Sequence, residues 1–159
     1  MGHIVRFVLL IALALPLQAQ PTISPGQLLP DFSLPAVNGF GQRLAEQRGQ
    51  AVMLIWLGDC DACHEQLAAY QLLAEGRINE GLVSWFVWTP AAGQQPPNMR
   101  LPVLISQPRW RTGWAFEPRP AVMLINADGV LDHLILGDLD DNYSRVEQRL
   151  SRWLTKNNQ

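Results

Sequence analysis

Two largely apolar runs stand out in the hydrophobic pattern, the continuous AVMLIWLG at 51–58 and LVSWFVW at 82–88, broken only by Ser84. Runs of that length, close to glycine and rich in β-branched and aromatic side chains, predict strands buried on both faces rather than helices. Between them, from Asp61 to Glu75, helix formers dominate. Leu67, Tyr70 and Leu73–Ala74 recur at helical spacing there, and Gly76 marks the end. A strand–helix–strand unit calls for a parallel pair joined by a right-handed crossover.

The flanking pattern adds shorter elements. DFSLPAVNGFGQRL, 31–44, reads as two extended pieces around Asn38-Gly39, a hairpin-type signal, and LAEQRG allows a helical turn stopped by Gly49. TPAAGQQPPNMR cannot sustain a helix. LPVLIS predicts a short strand, and PRWRTGWAF one or two helical turns from Pro108. AVMLINADGVLDHLIL is the clearest hairpin, two apolar strands joined through Asn126-Ala127-Asp128-Gly129. DLDDNYSRVEQRLSRWL puts Tyr143, Val146, Leu150 and Trp153–Leu154 on one face of a closing amphipathic helix. The expected class is α/β: a mixed central sheet with helices on both faces and an N-terminal hairpin extension.

Composition narrows this picture. The chain has 159 residues, one domain's worth, and 48% apolar content is enough for a core. A formal charge of −2 gives no footprint for nucleic acid. The first twenty residues differ in kind. Arg6 precedes an apolar run from Phe7 to Leu15, then come Pro16 and Leu17-Gln18-Ala19. That layout is a secretory signal, expected over 1–19, and leaves a mature domain over 20–159; an uncleaved membrane anchor is the alternative. The expected location is periplasmic. Trp85, Trp88 and Trp153 are expected in the core, whereas Trp110 and Trp114, with Arg109, Arg111 and Arg119, could border a site.

The candidate chemistry lies in WLGDCDACHEQL, 56–67, which holds the only two cysteines. Cys60 and Cys63 form a C-x-x-C pair at the predicted seam between strand and helix. Unpaired amides and the helix dipole there favour a thiolate, so Cys60 is the candidate nucleophile. Cys63, one turn on, is placed to resolve a mixed disulfide. With His64 the letters also spell the c-type haem attachment sequence, for which Met99 would be the distal ligand. The apolar residues that a haem pocket would need are already used by the sheet. Zinc lacks a second ligand pair of suitable spacing, since His133 is remote in sequence. No cofactor and no metal are expected.

LLPDFSLPAVNGFGQRLAEQRGQAVMLIWLGDCDAC, followed by LPVLISQ and EPRPAVMLINADGVL, resembles the periplasmic thioredoxin-like proteins of the TlpA/ResA type over nearly all of the mature chain. The resemblance implies a thioredoxin fold with Cys60 and Cys63 as its redox pair. It also implies that Pro120 is a cis-proline beside them, preceded by Arg119. The implied activity is thiol–disulfide oxidoreduction on protein thiols and disulfides, supported by an upstream redox partner; a monomer is expected. The chain departs from the family in carrying Asp-Ala between the cysteines, Asp59 before the first of them, and Leu54 where thioredoxins carry a buried acid. Two alternatives share the fold. A thiol peroxidase is weakened because Leu57, three residues before Cys60, is not Thr or Ser. A copper-binding chaperone normally has a wider cysteine spacing and a histidine near the proline.

Overall fold

The two apolar runs are neighbouring parallel strands at the centre of a five-stranded sheet. The computed structural model describes residues 23–58, 64–106 and 120–157. The expected signal over 1–19, both cysteines, the helical turns from Pro108, Trp110, Trp114 and the three nearby arginines therefore lie outside the described residues. In chain order the elements are β1 (Ser33–Leu34), β2 (Gln42–Arg43), a 3-10 helix (Leu44–Gln47), β3 (Ala51–Gly58) and α1 (His64–Glu75). A second 3-10 helix (Ile78–Glu80), β4 (Leu82–Trp88), β5 (Val103–Ile105), β6 (Ala121–Ile125), β7 (Leu131–Leu136) and α2 (Leu139–Asn157) follow.

The sheet order is β5-β4-β3-β6-β7. The first three strands are mutually parallel, and β6 and β7 return antiparallel. The β6–β7 turn closes as its sequence predicts. Asn126 Oδ1 accepts from the amides of Asp128 and Val130, and Gly129 takes a φ of 79°.

Alternation along each strand divides the core into two layers. Met53, Ile55 and Leu57 of β3 meet Leu67 and Tyr70 of α1 and Val146 and Leu150 of α2. Val52, Leu54 and Trp56 face the other way, onto Leu29, Phe32, Leu34 and Leu44. Trp85, Trp88 and Trp153 are buried, as expected. The sequence pattern anticipates helices on both faces, but among the described residues both α-helices cover the same one. The opposite face is covered by residues 23–50.

That covering segment is extended because Pro25, Pro30 and Pro35 interrupt any helical register. It crosses the whole sheet. Leu28 bridges to Val130 beside β7, and Ala36 bridges to Leu104 of β5. Asn38 completes the crossing in a way its Asn-Gly context does not suggest. Its Nδ2 donates to the carbonyls of Met99 (2.7 Å) and Leu101 (2.9 Å), and its Oδ1 accepts from Val103 N–H (2.8 Å). The side chain thus brackets the approach to β5 while β1 and β2 pair around a longer loop. Asn38→Ala strands three half-buried backbone groups at once and is expected to cost about 2 kcal/mol, read from the urea midpoint at unchanged slope.

Candidate functional site

One end of the sheet brings together the chain segments that flank the two cysteines in sequence. β3 ends irregularly there: Trp56 pairs with Val87 and Gly58 with Trp88, a register shift that skips Leu57. Such irregularities re-aim a chain at the end of a strand. Gly58 then turns it with a φ of 56°. Six residues later α1 is under way at His64. Cys60 and Cys63 occupy the intervening stretch, 59–63, and lie outside the described residues. Their two anchorages are the strand end and helix start that the sequence predicts for them.

Pro120 comes to the same end. β6 runs antiparallel to β3 with Trp56 opposite Ala121, so one further step of this register sets Pro120 beside Leu57. Lacking an N–H, proline fits only the first position of such an interior strand. Its carbonyl accepts from Gly137 N–H (2.8 Å), and the ring is half-buried. The Arg119–Pro120 bond, expected to be cis, involves a residue outside the described ones. Residues 107–119 leave after β5 and return at Pro120, so both their attachment points are at this end.

The helices contribute charge and shape that the motif does not announce. α2 also starts here, capped by Asp138, whose Oδ1 accepts from the amides of Asp140 (2.8 Å) and Asp141 (3.3 Å). The first turns of α1 and α2 enclose a cleft of about 400 Å³ lined by Glu65, Gln66, Tyr70, Asp140 and Tyr143. Tyr70 is fully buried, donates to the Leu139 carbonyl (2.7 Å) and meets Tyr143 edge-on. Burial, reinforced by Tyr143, Asp138 and Asp140, pushes its phenol pKa well above the ordinary value, so it is a fixed donor and not an acid. Gln66 Oε1 is buried with no partner among the described residues. Glu65, Asp138, Asp140 and Asp141 are exposed and make this end acidic.

His133 is elsewhere. It pairs with Leu124, which in turn pairs with Met53. That level is five strand residues, roughly 17 Å, short of the end of β3. It is remote from Gly58 and His64, the described residues that flank the two cysteines in sequence.

No protein-family model matches this sequence, and no curated protein matches it. Solved structures share its fold. A Chlorobium tepidum protein described as thiol:disulfide interchange protein DsbE superposes with a TM-score of 0.65 at 20% identity, covering 84% of this chain and 99% of that one. The thioredoxin domain of a thiol-disulfide oxidoreductase from Bacteroides vulgatus gives 0.62 at 15% identity, over 80% and 98%. Xanthomonas campestris peroxiredoxin Q gives 0.68 at 10% identity, over 82% and 99%. The architecture is the thioredoxin fold, as the sequence resemblance implies.

Proposed function

We propose that the chain is an extracytoplasmic thiol–disulfide oxidoreductase that reduces protein disulfides through Cys60 and Cys63. One conjunction carries this reading: the sole C-x-x-C is tethered between the end of the central strand and the start of α1, at the level where Pro120 opens β6. A thiolate formed there is supported by the α1 N-terminus, Cys60 attacks a substrate disulfide, and Cys63 displaces the reduced product. The electrons pass from the dithiol to the substrate, and an upstream thiol partner restores the reduced pair.

The direction follows from charge. Asp59 and Asp61 flank Cys60 in sequence, and the acids of α1 and α2 gather at the same end. Negative charge near a thiolate disfavours it, so the reduced form of the pair is less stabilised than in a strong oxidant. The midpoint is expected near the thioredoxin value of about −270 mV, far from the about −120 mV of strongly oxidising pairs. Titrating the protein in dithiothreitol and glutathione buffers, with alkylation and mass readout, checks this. A midpoint in the oxidising range overturns the direction; a pair that never forms a disulfide overturns the whole reading. Peroxide consumption faster than disulfide reduction would instead favour the thiol peroxidase, and tight Cu(I) capture without turnover the copper chaperone.

A further inference from the structure

Four of the chain's twelve cations share one side of α2. Arg145, Arg149, Arg152 and Lys156 stand at i, i+4, i+7 and i+11, which the helical period brings within about 60° of arc. All four are exposed. Elsewhere the described cations are engaged: Arg43 with Asp31, Arg77 with Glu80, Arg100 with Glu75, and Arg48 with the Asp128 carbonyl. None of the four on α2 has an acidic partner among the described residues.

Arg149, Arg152 and Lys156 line one wall of a cleft of about 580 Å³, and Gly26 and His133 line the other. The one acid in it, Asp132, is already committed: its oxygens accept from Trp153 Nε1 (2.8 Å) and Asn126 Nδ2 (3.1 Å). Three cations against this one carboxylate leave positive charge in surplus. His133 registers it, since burial and then Arg149, with Lys156 adding and Asp132 opposing, hold its pKa below the ordinary value.

Position gives the surplus a meaning. The cleft is level with the start of β3, at the opposite end of the sheet from the candidate cysteines and their acidic surroundings. Gly26 belongs to the segment through which the chain arrives from residues 1–22, whose apolar run spans Phe7 to Leu15. We propose that this basic cleft docks on the anionic headgroups of a phospholipid membrane, holding the cysteine end away from the bilayer. Opposite charge draws one end to such a surface and repels the other. The proposal does not depend on the redox reading.

Binding of the full chain to vesicles tests it, comparing phosphatidylcholine alone with an equal mixture of phosphatidylcholine and phosphatidylglycerol. Both offer the same hydrocarbon to residues 7–15, so the difference between them isolates headgroup charge. Each basic residue at the surface contributes about fivefold to partitioning, so the triple variant Arg149→Gln, Arg152→Gln, Lys156→Gln is expected to lose roughly a hundredfold of the preference. A control variant with Arg43→Gln, Arg48→Gln and Arg100→Gln changes net charge equally and is expected to keep most of it. The imidazole of His133, which faces Asp132 on its own strand and Arg149, Arg152 and Lys156 on α2, is expected to titrate higher on the mixed vesicles. Residues 23–30 bring no ionisable side chain to it. Equal binding to both vesicles, or equal losses in the two triple variants, overturns the proposal. So does binding of inorganic phosphate that shifts His133 when mixed vesicles do not, which would make the cleft a site for small soluble anions.

Discussion

Cys60→Ser is expected to lower protein-disulfide reduction by at least about a thousandfold, because a hydroxyl at that position is not ionised near neutral pH and cannot replace a thiolate nucleophile. Cys63→Ser is expected to behave differently. It keeps the attacking thiolate but removes the group that resolves the mixed disulfide, so covalent adducts with substrate accumulate through Cys60. Non-reducing gels followed by peptide mapping distinguish the two variants. Adducts trapped by Cys60→Ser through Cys63 would reverse the assigned roles. Equal residual turnover in wild type and both variants would show that neither thiol carries the reaction. Thermal unfolding of the reduced wild type and of both variants separates lost chemistry from lost folding.

Trp85→Ala is expected to have the largest effect on stability. Trp85 is 1% exposed on β4 and forms an edge-to-face pair with Phe32, ring centroids 6.4 Å apart. Its removal leaves a cavity between the sheet and the covering segment, at a cost of about 3–5 kcal/mol. That is a large fraction of the roughly 5–15 kcal/mol that holds an ordinary domain folded, and it lowers Tm by roughly 10–20 °C. Trp85→Phe, which retains a ring, is expected to lose less than half as much. The loss is directional: limited proteolysis of Trp85→Ala is expected to cut first within residues 23–50, since that segment rests on this ring. First cleavage in α2 instead would show that the two core layers do not fail separately.

The elements with strong internal periodicity were the legible ones. The runs at 51–58 and 82–88, the Asn126–Gly129 hairpin and the stripe Val146–Leu150–Trp153–Leu154 each state their burial within a few residues of chain. Asn38 was half legible: Asn38-Gly39 does lie in the connection between the paired strands β1 and β2, but the rest of its role is not local. Its neighbour Gly39 makes a local turn signal, while its three partners lie more than sixty residues away. The one-sided placement of the two described α-helices likewise depends on which face residues 23–50 occupy, and no periodicity within that proline-broken segment says so. At the candidate site the motif supplies only the chemistry proposed above, and the register of β6 against β3 supplies the position of Pro120. Tyr70 and the acidic start of α2 were legible as helix positions but not as neighbours of the site, because neither belongs to a motif. The basic stripe on α2 did leave a signal, the seven-residue recurrence of Arg145–Arg152 and Arg149–Lys156.

The extended segment that crosses the sheet has a consequence for how small this domain can be made. Its bridges at Leu28 and Ala36 occupy backbone groups along β7 and β5, the two outermost strands. A chain begun at Ala51 would keep every strand of the five-stranded sheet and both α-helices. It would nevertheless expose Leu54, Trp56 and Trp85 together with two unprotected sheet margins, the combination that templates intermolecular strand pairing. The smallest soluble unit therefore begins before Leu28, even though the recognisable α/β core begins more than twenty residues later.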